Sequence, residues 1–223
     1  MEAVNASETS SPQAEAHRAS VTRMYTWISE NGRLIEQVRV VPKGDSTRAR
    51  GRIVAAAGAD NPAFTVEYEA QLGADTTLRR VWLTLTTEEY ERTIDLVCDD
   101  EGAWLLEDSS GTRSRVGGDG VVDVDITYSV FFASVMIRRL GLHAQPGSED
   151  VRVLSVDSMT LDVTEDTVTL SSDDEQVHGI TATASTAADH RRADGRRYQS
   201  ANVSAQSEVT VGRRPHRARS GSW

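Results

Sequence analysis

"FTVEYEAQL", residues 64–72, alternates apolar and polar side chains without a break. Phe64, Val66, Tyr68 and Ala70 fall on one side, and Thr65, Glu67 and Glu69 on the other. A period of two marks a strand with one face on a core and the other in water. The pattern continues outward in both directions. Upstream, "LIEQVRVV" (34–41) places Leu34, Glu36, Val38 and Val40 on one face. Downstream, "LRRVWLTLT" (78–86), "YERTIDLVC" (90–98) and "GAWLLED" (102–108) repeat it. Between the runs lie "ENGR", "PKGDST", "AGADNP", "LGADTT" and "DDEG", which supply Gly, Asn, Asp or Pro where a chain reverses. Short strands joined by short turns imply an antiparallel sheet rather than βαβ units.

The second half reads the same way: "VRVLSVD", "MTLDVTEDTVTLS" and "VHGITATAS" are strands. Helical periodicity is scarce, and the best candidate is one or two turns around Phe131 to Leu140. At 223 residues the chain suits one β-rich domain, over residues 21–206. Residues 1–20, rich in Ser, Ala and Glu, read as a disordered leader, and residues 207–223 as a basic disordered tail carrying Arg213, Arg214, Arg217 and Arg219.

The net charge of -10 argues against nucleic acid as a partner, because binding phosphates needs clustered Lys and Arg. No apolar run reaches the roughly 18 residues of a membrane helix, and no secretory signal precedes the first strand, so a cytoplasmic location is expected. The sole cysteine, Cys98, excludes an intrachain disulfide and sits among apolar neighbours as an inert thiol. The five histidines lack metal-ligand spacing, so no metal or other cofactor is expected. Oligomeric state is left open.

Chemistry concentrates in "VVDVDITYSVFFASVMIRRLGL", residues 121–142. Val122, Val124 and Ile126 point to one side of a strand, and Asp123, Asp125 and Thr127 to the other. Two carboxylates about 7 Å apart on one face can raise each other's pKa when shielded, which suits holding hydroxyl groups or acid/base work. On a face open to water they are an ordinary polar surface. Arg138 and Arg139 close the stretch; at most one shares the acids' face, where it can pair with an Asp.

These residues carry a family resemblance. "DVDI" (123–126) followed by "IRRLGL" (137–142) resembles the signature of the putative glycolipid-binding family of bacterial and archaeal proteins. Trp27, Glu36, Gly51, Tyr68 and Trp104 agree with it in order, so the resemblance spans roughly residues 24–185. It implies a strongly curved antiparallel sheet, a half-barrel or open barrel with little helix, similar to lipoprotein carriers, whose concave face accepts an acyl chain. Departures occur where the family has a Cys (Val121), two prolines (Val130 and Met136), an Asn (Ala133) and a Trp (Leu78). The implied function is non-enzymatic binding of a lipid or glycolipid. Phe131, Phe132 and Met136 would lie on the apolar wall, and Asp123, Asp125 and one of Arg138 or Arg139 at the polar end. The alternatives are a hydrolase using Asp123 and Asp125 as an acid/base pair, and a structural or regulatory interaction protein.

Overall fold

The structure, a computed structural model, describes residues 21–29, 31–58, 62–145, 147–172, 179–182 and 201–204. The expected leader and tail lie outside these residues. Eight strands form one antiparallel meander in sequence order: β1 (Arg23–Ile28), β2 (Leu34–Lys43), β3 (Ser46–Ala55), β4 (Phe64–Leu72), β5 (Leu78–Thr86), β6 (Glu91–Cys98), β7 (Trp104–Asp108) and β8 (Arg113–Val116). The curved sheet stays open, with β1 and β8 as its edges. The turn between β2 and β3 has two residues, and Gly44 takes the positive φ (59°) that a tight hairpin of this twist requires.

Alternation decides the two faces. Val38, Ala49, Ile53, Val66, Ala70, Leu83 and Leu96 are buried on the inner face. The outer face is a set of cross-strand rows. In one, Met24, Arg39, Arg50, Glu69, Trp82 and Asp95 lie directly opposite one another in turn across β1 to β6.

A second sheet covers the inner face, in the order β11 (Val163–Ser172), β10 (Gly147–Val156), β9 (Asp123–Ile126). Helix α1 (Val130–Arg139) connects β9 to β10. A further pair, β12 (Gly179–Ala182) with β13 (Ala201–Ser204), is antiparallel. Val124, Ile126, Leu154 and Val156, with Phe131, Phe132 and Val135 of α1, join the core of the large sheet. On the far side of the small sheet, Met136, Ile137, Leu142, Val151, Val153, Val168 and Leu170 form a second core.

The sequence reading is corrected in two respects. β9 pairs with β10 in parallel, so β9–α1–β10 is a βαβ unit among otherwise antiparallel pairings. A parallel neighbour needs a crossover of a dozen or more residues, and α1 supplies it. The helix is also longer than expected, at nearly three turns. Ser129 caps its start, its hydroxyl accepting from the Phe132 amide at 3.3 Å. Arg138 and Arg139 favour its C-terminal end. Gly141 (φ 73°) ends it in a Schellman motif, in which Leu142 N–H bonds the Ile137 carbonyl at 3.1 Å and the two side chains share the second core.

Candidate functional site

Glu36 is the first polar anomaly. It occupies an inward position on β2 and is fully buried. One carboxylate oxygen accepts the Tyr68 hydroxyl at 2.7 Å and the Ser129 hydroxyl at 2.6 Å. The other accepts the backbone amides of Val130 (2.6 Å) and Phe131 (3.2 Å). Glu36 therefore supplies an anion to the N–H groups at the start of α1 that have no partner within the helix, where the helix dipole favours one. Burial raises its pKa above the usual carboxylate range, against the lowering effect of these four donors. Burial, then the charge of Glu36, pushes the Tyr68 phenol well above its usual value.

Tyr68 reaches Glu36 from two strands away. Between them β3 carries Gly51, directly opposite Tyr68, and a side chain at Gly51 would overlap the phenol ring. Phe131 and Phe132 close around the same ring, with centroids 5.9 and 5.2 Å from it.

The residues expected at the site divide among several environments. All four residues of β9 are buried. Asp123 is fully buried, and both its oxygens are held by Arg139, Nε at 3.2 Å and one terminal nitrogen at short range. Burial raises the Asp123 pKa, and the Arg139 hydrogen bond and charge oppose that. Asp125 is 7% exposed, and its carboxylate makes no hydrogen bond or ion pair among the described residues. Burial, with a smaller contribution from the charge of Asp166, raises its pKa to about 6. Phe131 and Phe132 lie in the first core and Met136 in the second, so α1 does not bring the three together. Arg138 is exposed and apart from Arg139.

The described residues hold a different concavity, on the outer face over β1 to β5. It is a groove of about 420 Å³ whose walls include Met24, Gln37, Arg39, Arg50, Glu67 and Trp82. That volume falls within the span of small-molecule sites. Trp82 is 39% exposed and Met24 42%. Arg48 and Arg50 both pair with Glu69, Arg50 at 2.6 Å, and Arg52 pairs with Glu67. Partial burial works to raise the Glu69 pKa, but the hydrogen bonds and charges of Arg48 and Arg50 outweigh it and lower the value. The signal for this groove is present in the sequence: Arg48, Arg50 and Arg52 occupy alternate positions facing Glu67 and Glu69. Glu36 also announces itself, as the one acid in an inward series of aliphatics.

Among the described residues no group of three or more His, Cys, Asp or Glu could hold a metal ion. Cys98 is half-buried, and burial pushes its thiol pKa up. No helix among them is long and apolar enough to cross a membrane.

The architecture is an open β-sheet whose inner face is covered by the chain's own βαβ unit. The chain belongs to the family described as putative glycolipid-binding, whose model matches residues 24–209. No curated protein matches it. It is similar to a DUF1089 family protein from Pseudomonas aeruginosa, known from a crystal structure at 1.80 Å resolution. That similarity has 22% identity and a TM-score of 0.49, and covers 71% of this chain and 86% of the other. Family membership suggests a binding role.

Proposed function

We propose that the protein is a non-enzymatic binding protein for a lipid or glycolipid, and that the polar end of the ligand occupies the outer groove of β1 to β5. The observation that carries this reading is the groove itself, where an exposed indole stands beside arginine, glutamate and glutamine side chains. Indole rings stack on the apolar faces of sugar rings, and planar guanidinium and carboxylate groups bond pairs of hydroxyls.

The concave face suggested by the resemblance is less favourable. Phe131, Phe132, Val135, Val124, Ile126, Leu154, Val156 and Leu161 already fill it. Exposing these eight side chains would cost roughly 12–24 kcal/mol at about 1.5–3 kcal/mol each. A typical domain is stable by only about 5–15 kcal/mol. The hydrolase alternative needs Asp123 and Asp125 to reach a substrate, and the burial of both counts against it. In the same way, Phe131, Phe132 and Met136 fit packing better than contact with a ligand.

Native mass spectrometry after incubation with a total lipid extract tests the proposal. A lipid-sized adduct is expected, reduced about two- to tenfold by Trp82→Ala, the factor expected for one aromatic contact. Phe132→Leu, on the inner face, should leave it unchanged. Absence of any adduct overturns the binding reading, and an adduct lost in Phe132→Leu but kept in Trp82→Ala returns the ligand to the inner face.

A further inference from the structure

We infer that the groove is built for an anionic headgroup, a sulfated or phosphorylated sugar end of a glycolipid, with Arg39 as its principal contact. This rests on the binding role proposed above and adds the charge and position of the ligand.

The argument starts from pairing on the outer face. Arg48 and Arg50 share Glu69, Arg52 has Glu67, and Arg80 has Asp95 at 2.6 Å. Arg39 has no hydrogen-bond or ion-pair partner among the described residues, yet it stands directly opposite Arg50 in the β2–β3 register. Like charges directly opposite on neighbouring strands are destabilising. In a chain of net charge -10, an acid in place of Arg39 would have paired with Arg50. The fold instead keeps an excess positive charge at one end of the groove.

The chemistry fits an oxyanion. A guanidinium presents a planar fork that matches sulfate or phosphate with two parallel hydrogen bonds, and such charge-assisted bonds are about twice as strong as neutral ones. Trp82 stands at the other end, three strands away, on the same cross-strand row as Arg39. Three strand spacings are roughly 14 Å. That span suits a headgroup of one or two sugar rings that stacks at Trp82 and ends in a charged substituent at Arg39.

Co-sedimentation with phosphatidylcholine vesicles tests this, comparing vesicles doped with a neutral monoglycosyl diglyceride, with a sulfated glycosyl diglyceride, or with phosphatidylglycerol at equal surface charge. The full chain should bind the sulfated glycolipid at least about tenfold more tightly than either comparison, and added salt should weaken that binding. Arg39→Gln and Arg39→Glu should each abolish the preference. Arg39→Glu creates a pair with Arg50, so its melting temperature should not fall, which separates lost binding from lost folding. Equal binding to neutral and sulfated glycolipid overturns the headgroup assignment and leaves the binding role intact, and binding to none overturns both. Equal retention on phosphatidylglycerol vesicles reduces the effect to bulk charge and overturns the site. Displacement by inorganic sulfate at the same low concentration identifies a free oxyanion as ligand and overturns the lipid source.

Discussion

Three buried carboxylates meet three different fates. Glu36 receives four donors, Asp123 receives a guanidinium, and Asp125 receives no hydrogen bond or ion pair among the described residues. Breaking a buried ion pair by removing one partner costs about 3–5 kcal/mol, because the other charge remains buried and unpaired. Arg139→Met should therefore destabilise the protein by about that amount, whereas Arg138→Ala, one position earlier on the exposed side of α1, should stay within about 0.5 kcal/mol. Urea unfolding of both variants checks the contrast; equal losses would mean that the pair contributes no more than an exposed arginine. The sequence supports that at most one arginine meets an aspartate. It does not say which, because the choice depends on helical geometry that "VFFASVM" conceals: a short apolar run reads equally as buried strand or buried helix.

At the level of elements, alternation makes the meander legible, since each strand's pattern is local and each turn carries its own chemistry. The parallel pairing of β9 with β10 is not local, and neither strand's composition distinguishes a parallel from an antiparallel neighbour. The acids of β9 mislead for a related reason. An Asp–Val alternation normally marks a half-exposed strand, but β9 is buried on both faces: Val124 and Ile126 pack into the core of the large sheet, and Arg139 of α1 lies against Asp123 on the other side. The path of Tyr68 across β3 is equally invisible in a linear reading, although Gly51 is the residue that opens it. Gly51→Ala should force the phenol ring off Glu36 against the packing of Phe131 and Phe132. An overpacking cost of about 1–3 kcal/mol is expected, measurable as a lower denaturation midpoint. Wild-type stability in this variant would show that the ring has room to move.

Across the whole molecule, Asp125 ties stability to pH. Its folded pKa of about 6 lies above the ordinary 3.8, so the fold favours the protonated form. Its contribution is therefore fully present below pH 3.8 and is lost as pH rises through about 6. Besides burial, the charged group bearing on it is Asp166 of β11. Glu36 and Asp123, also raised by burial, act in the same sense, so the informative quantity is the difference between wild type and Asp125→Asn. That difference should be small at pH 4 and approach about 3 kcal/mol in favour of the variant at pH 7.5, at about 1.4 kcal/mol for each unit of pKa. Denaturant titrations at the two pH values read it directly, and a difference that does not change with pH would rule out titration of Asp125 in this range.

The hydrogen bond from Ser129 to Glu36 joins residues 93 positions apart. It also fixes an order of events during synthesis. The meander β1 to β8 is made of neighbours in sequence and can form as it leaves the ribosome, while contacts of long separation come later. Its apolar inner face and the Glu36 carboxylate then wait, open to water, until β9, α1 and β10 have been translated. A nascent chain stalled after β8 should therefore be a strong chaperone client, and the arrival of the βαβ unit is the moment at which the protein becomes self-sufficient.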